Sequence, residues 1–132
     1  MSRRKAREVA FKILFQVDQI NADPQTAFEL LLAETPLPEK DQLFSWELIQ
    51  KTLQHLDEID SILSKHSDYW VIKYFSAVDR SIMRVASCEI VFINPVQAVV
   101  AIDEAIEIAK RYGDENSAGF VNAVLDKILG DI

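Results

Sequence analysis

The first helical stretch of the chain carries the residues best suited to chemistry with an anion. Arg4, Arg7, Phe11 and Phe15 are spaced by three, four and four, so at about 100° per residue they share one stripe of a helix. Guanidinium groups bind phosphate in a bidentate fashion. Aromatic rings stack on unpaired bases, at ~1–3 kcal/mol each. Arg3, Arg4 and Lys5 extend the cationic run toward the chain start. A solvated face has no need of two phenylalanines, so either a second layer of protein or a bound partner covers Phe11 and Phe15. If the arginines serve a ligand rather than the fold, removing charge at Arg4 and Arg7 weakens binding and leaves stability nearly intact.

The other reactive side chains do not assemble into a catalytic or metal-binding pattern. The only histidines, His55 and His66, are eleven residues apart and have no cysteine or further histidine at zinc-ligand spacing. Cys88 sits among Ala86, Glu89 and Ile90 with no base beside it, the setting of a buried inert thiol. Asp103, Glu104 and Glu107 lie on one helix, and Glu107 is spaced for surface pairs with Lys110 and Arg111. Three glycines in 132 residues leave no phosphate-cradling loop. Arg80 follows a helix start, where a cation opposes the helix dipole and needs a carboxylate or an incoming phosphate as its partner. No metal, cofactor or enzymatic activity is expected.

Net charge is −7, which disfavours general nucleic-acid binding by the whole surface. Its distribution is uneven. Residues 1–12 carry five cations against Glu8, a net +4, leaving −11 on the remainder. The pattern is either a local anion site on an acidic body or a solvated basic helix end. No apolar run approaches the ~20 residues of a membrane span, and the charged start lacks the apolar core of a secretion signal. A single cysteine precludes an intrachain disulfide, which fits a reducing cytoplasm.

These residues are positioned by helices. Apolar side chains recur at three and four throughout. The first helix spans roughly Arg3 to Ile20, with a packing stripe of Ala6, Val9, Ala10, Ile13, Leu14 and Val17. Asp23-Pro24 caps a second helix. After Pro36 and Pro38 a long helical region begins near Glu39 and breaks between His55 and Asp60. An aromatic segment, Ser67 to Phe75, leads to Ser76 and Asp79, spaced as a capping box. Asn94-Pro95 starts a largely apolar helix that Gly113 is placed to end in a left-handed conformation. Asn116 and Ser117 are placed to cap the last one. The expectation is an all-α fold of about seven helices in a single domain over 1–132.

Taken together, the motifs resemble the NusB family of transcription antitermination factors. The resemblance rests on Arg3-Arg4-Lys5-Ala6-Arg7-Glu8 followed by Leu14-Phe15, on Trp70, and on the run from Val78 to Ala86 with Glu89. It continues through Val100 to Lys110 and closes with Ser117, Phe120-Val121-Asn122 and Val124-Leu125. It implies two small helical bundles packed at an angle and no catalytic activity. It also implies binding of boxA-type RNA from ribosomal RNA leader transcripts, jointly with the small-subunit ribosomal protein NusE. That complex joins RNA polymerase with NusA and NusG. On this resemblance the RNA residues are Arg3, Arg4, Lys5, Arg7, Phe15, Arg80, Asn116, Ser117 and Phe120, and Asp79 and Arg80 adjoin NusE.

Three departures from the family pattern imply modest intrinsic RNA affinity and dependence on NusE. Phe15 replaces the usual tyrosine, Gly119 a frequent basic residue, and Ala123 a usual glycine. Two other readings remain: an accessory domain related to the N-terminal part of ribosomal RNA cytosine methyltransferases, without their cofactor domain, and a dimerising interaction module without RNA binding. Family members occur as monomers or homodimers, and the sequence does not choose between them.

Overall fold

The computed structural model describes residues 3–68 and 72–132, and among these every regular element is helical. The order is α1 (Arg4–Ile20), α2 (Pro24–Glu34), α3 (Glu39–Gln54), α4 (Leu56–Lys65), α5 (Ala77–Cys88), α6 (Ala98–Tyr112) and α7 (Ser117–Gly130). Short 3-10 turns precede α5 and α6. Tyr69 and Trp70 lie outside the described residues.

Local signals account for most boundaries. The Asp23 carboxylate accepts from the Thr26 amide (3.0 Å), and Pro24 occupies the first turn of α2, where its missing N–H costs nothing. Ser76 Oγ accepts from the Asp79 amide at the start of α5 (3.1 Å). Asn94 accepts from the Val96 amide, but what it caps is the 3-10 turn Pro95–Gln97 that leads into α6. α1 ends at Asn21, which adopts the left-handed conformation (φ 53°) and donates its amide to Val17 O. Asparagine tolerates that region because its short polar side chain bonds locally.

Two expectations at helix ends are corrected. Gly113 is extended (φ −90°, ψ −172°), not left-handed. Glycine is required there for space, since a Cβ would collide with the Ser117 side chain and lie 2.8 Å from Ala109 O. Asn116 makes no side-chain cap to α7. The hydroxyl of Ser117 instead accepts from the Asp114 amide (3.0 Å), and the Asp114 carboxylate accepts from the Asn116 amide (2.8 Å).

Among the described residues there are two cores. One joins α1, α2 and α3 around Ile13, Phe28, Leu48 and Ile49. The other joins α4 to α7 around Leu63, Ile82, Ile90, Ala105 and Leu125. They meet where α1 packs on α5, and each helix sends a side chain into the other's core: Phe11 of α1 into the second, Val85 of α5 into the first. The second bundle thereby supplies a protein layer over Phe11.

The same contact holds a buried ion pair. Arg7 Nε and Nη2 donate to the two carboxylate oxygens of Glu89 at 2.8 and 2.6 Å, with both side chains 6% exposed or less. Glu89 opens a single π-helical turn, Glu89–Ile93, closed by the Asn94 amide donating to Glu89 O (2.8 Å). The wider turn adds a residue to the helix just as α5 leaves the crossing. Ser45 Oγ donates to Ala6 O (2.8 Å), fastening α3 to the same stretch of α1.

Arg7→Ala leaves a buried carboxylate without its counter-charge, and urea unfolding is expected to show a loss of about 3–5 kcal/mol. The pair Arg7→Met with Glu89→Met restores most of it. A loss below about 1 kcal/mol for Arg7→Ala would show that the ion pair is not what secures the crossing.

Candidate nucleic-acid interface

The basic start of α1 is ordered against the protein. The Arg3 guanidinium lies 4.2 Å from the centroid of the Phe44 ring, a cation–π contact. Arg4 donates to Glu104 on α6 through Nε (2.9 Å) and Nη2 (3.2 Å) while its own side chain stays about half exposed. Lys5 is exposed. Arg7 is a correction to the expected arginine face: it turns inward to Glu89, so its charge is not available to a ligand and its removal is a stability event. Arg3, Arg4 and Lys5 remain as the cationic surface.

Around the first turn of α5 the chain gathers a second group. Phe15 of α1 is half-buried, and the half-buried Phe120 of α7 packs edge-on against Phe75 at 5.0 Å between centroids. A cavity of about 420 Å³ opens here, lined by Tyr74, Phe75, Ser76, Asp79, Asp114, Asn116 and Phe120. Tyr74 is 67% exposed. Asp79 is buried, and among the described residues its Oδ1 has no hydrogen-bond partner. A buried acceptor without a donor costs roughly 1–3 kcal/mol, so an incoming N–H or O–H would find it already desolvated. Asn116 is exposed, whereas Ser117 is buried and spent on the loop before α7. The sequence-predicted residues therefore fall into a cationic end, an aromatic and polar end, and three supports beneath them: Arg7, Arg80 and Ser117.

Arg80 finds a carboxylate. Its Nε and Nη2 donate to Asp18 at 3.3 and 2.7 Å, and Nη1 donates to the Ile72 and Phe75 carbonyls at 3.3 and 3.0 Å. It thus ties the turn before α5 to α1. Arg84, one turn on, bridges Asp60 of α4 (2.8 and 2.7 Å) and Asp18 (3.2 Å). Burial pushes the Asp18 carboxyl up. Hydrogen bonds from Arg80 and Gln19, and the charges of Arg80 and Arg84, outweigh this and hold it below its ordinary value of 3.8. For Arg84, burial disfavours the charge, and Asp60 and then Asp18 more than reverse that.

Sequence reasoning missed one assembly. Arg111 and Tyr112, at the end of α6, both bond to Glu8 of α1, at 2.6 Å each, and Lys12 Nζ lies 3.6 Å from the same carboxylate. Of the two pairs expected for Glu107, the one with Lys110 is present at 3.6 Å, whereas Arg111 turns to Glu8. No sequence signal links positions about one hundred residues apart. Among the described residues no group of acidic, histidine or cysteine side chains could hold a metal ion, and no helix is long and apolar enough to cross a membrane. Burial pushes the Cys88 thiol up to about 11, so it is not a poised nucleophile.

Comparison with known proteins agrees with the all-helical fold. The NusB family model matches residues 4–130. The transcription antitermination protein NusB of Syntrophomonas wolfei is 60% identical over 131 residues, covering 99% of this chain and 98% of that protein. The solved T. maritima NusB structure superposes with a TM-score of 0.90 at 38% identity, covering 99% of this chain and 92% of that one. A chain from a crystal structure of antitermination factors NusB and NusE in complex with double-stranded RNA gives 0.90 at 27% identity, with both chains fully covered.

The Asp18 network makes a pH prediction. A carboxylate whose folded pKa is depressed contributes stability that is fully present above its unfolded value and is lost as pH falls through the folded one. The stability gap between the wild-type chain and Asp18→Asn is therefore expected to be constant near neutrality and to shrink on acidification below about pH 4. Urea unfolding of both chains across that range measures it, and a gap that stays constant would refute the assignment.

Proposed function

The chain belongs to the NusB family of transcription antitermination proteins, and we propose that it binds boxA-type single-stranded RNA of ribosomal RNA leader transcripts together with NusE. With that RNA in hand it joins RNA polymerase, NusA and NusG in the cytoplasm. It does so without catalysis, and with residues 1–132 acting as one RNA-binding domain.

The observation that carries this reading is the combination of half-buried and exposed aromatic rings lining open cavities with a cationic start of α1. A duplex buries its base faces, whereas a single strand offers them for stacking. Phe15, Phe120 and Tyr74 border cavities that suit such bases. Arg3, Arg4 and Lys5 lie about three turns up α1 from Phe15, roughly 16 Å for the eleven residues separating Arg4 from Phe15, and serve the phosphates. Asn116 lines the same cavity as Phe120 and offers a base edge both a donor and an acceptor. Arg7, Arg80 and Ser117 act beneath this surface by holding α1, the α5 turn and the loop before α7. NusE is assigned to the α5 turn, where a donor from a protein partner satisfies Asp79 Oδ1. The family relative crystallised with NusE and RNA supports both partners.

The test is a titration of the protein into a single-stranded boxA-type RNA, with and without NusE, at two salt concentrations. Binding is expected to be cooperative with NusE and to weaken steeply with salt. Phe120→Ala is expected to cost about 1–3 kcal/mol of RNA affinity. Absence of RNA binding with and without NusE would sink the proposal, and equal competition by a fully paired RNA would redirect it to duplex recognition.

A further inference from the structure

We infer that the groove between the start of α2 and the second half of α3 is a docking site for an extended, proline-containing peptide of a partner protein, with a basic residue of that peptide against Asp23. The groove belongs to the first bundle. None of the residues assigned to RNA or to NusE lines it, so the site is additional to the nucleic-acid interface and independent of it.

The shape of the groove follows from α3. Trp46, Ile49, Gln50, Leu53 and Gln54 recur at three and four and form one stripe of that helix. Pro24, in the first turn of α2, closes the other side. Together they border a cavity of about 440 Å³. From Trp46 to Gln54 the stripe runs roughly 12 Å, at ~1.5 Å per residue. A polyproline II strand advances ~3.1 Å per residue, so about four of its residues span that length.

The lining chemistry selects this occupant. Pro24, Ile49 and Leu53 give an apolar floor. The half-buried Trp46 ring is held by stacking on Phe28, with 5.1 Å between centroids and 28° between planes. A ring fixed in this way loses little freedom when a proline packs on it. The indole N–H of Trp46 and the amides of Gln50 and Gln54 make no hydrogen bond to any described residue. The groove thus brings three donor groups that want acceptors. A polyproline II strand is the complement, because it makes no hydrogen bonds of its own and leaves its carbonyls open. A helical ligand would spend those carbonyls on itself.

Charge argues for the basic residue and against nucleic acid. Among the described residues no lysine or arginine lines the groove, so a phosphate finds no counter-charge there. Lys51, on the same helix, is paired with Glu47 at 3.3 Å. The ionised group of the lining is Asp23. Its Oδ2 accepts from the Thr26 amide (3.0 Å) and hydroxyl (2.8 Å), while Oδ1 has no partner among the described residues. A lysine or arginine at that end of the strand takes the second oxygen.

The experiment adds a short oligoproline peptide carrying one arginine to the full chain, labelled with nitrogen-15 and followed by NMR. The indole N–H signal of Trp46 and the side-chain amide signals of Gln50 and Gln54 are expected to shift and saturate together. Glutamate in place of the arginine is expected to weaken binding roughly 2- to 5-fold. Trp46→Phe keeps a ring against Phe28 and removes the donor. Gln50→Ala changes an exposed position, and its urea midpoint is expected to match that of the wild-type chain. Each variant is expected to lower peptide affinity roughly 2- to 12-fold. A glycine-serine peptide with the same arginine, and an oligouridine strand, are expected to leave the three signals in place. The docking site is overturned if the proline peptide gives no saturable shift, if the glycine-serine peptide binds equally well, or if affinity survives both variants. A shift caused by the oligouridine instead would assign the groove to nucleic acid and overturn it as well.

Discussion

Arg7 and Glu89 meet where α1 crosses α5, out of reach of solvent, in a two-pronged contact with little geometric freedom. Planar groups joined by two hydrogen bonds define a register along both helices as well as an attraction between them. The net energy of such a pair is small against an apolar replacement, and the penalty for separating it is large. α1 is thereby set on the second bundle at one position and one rotation. The surface residues of α1 inherit that setting. Arg4 reaches Glu104, Glu8 reaches Arg111 and Tyr112, and Asp18 reaches Arg80 and Arg84, because the crossing beneath them is fixed.

The exchange of Phe11 and Val85 between the cores reinforces the same point from the apolar side. Neither bundle closes its core without a side chain from the other. The residues of the candidate interface come from α1 of the first bundle and from α5, α6 and α7 of the second, so that surface exists only when the two are docked.

Much of this was legible in the sequence because it is local. Helical periodicity located the packing stripe of α1, and capping chemistry located Asp23, Ser76 and Asn94. What escaped is what depends on a distant partner. Arg7 sits on the same helical stripe as Arg4 and Phe15, and only the position of Glu89, 82 residues on, turns it from a ligand contact into a support. Phe11 is drawn inward by the same crossing. Gly113 reads as a left-handed helix end, yet its role is set by the side chain of Ser117 four residues later. Arg111 and Tyr112 carried no signal because Glu8, which orders them, lies at the other end of the chain. The cationic start and the aromatic positions of the candidate interface were visible in the sequence, and the side of α6 that packs beside them was not.

The carboxylates that hold the surface cations have a kinetic meaning. Arg4, Lys12 and Arg111 each lie against a glutamate of the protein itself. A phosphate that takes one of these cations displaces an anion that stays tethered a few ångströms away, at a high effective concentration. Association is then a swap of partners, and the displaced glutamate is in place to drive the reverse swap. On the proposed reading, a surface built this way favours rapid turnover of individual contacts over long residence, and a bound RNA strand would be released segment by segment.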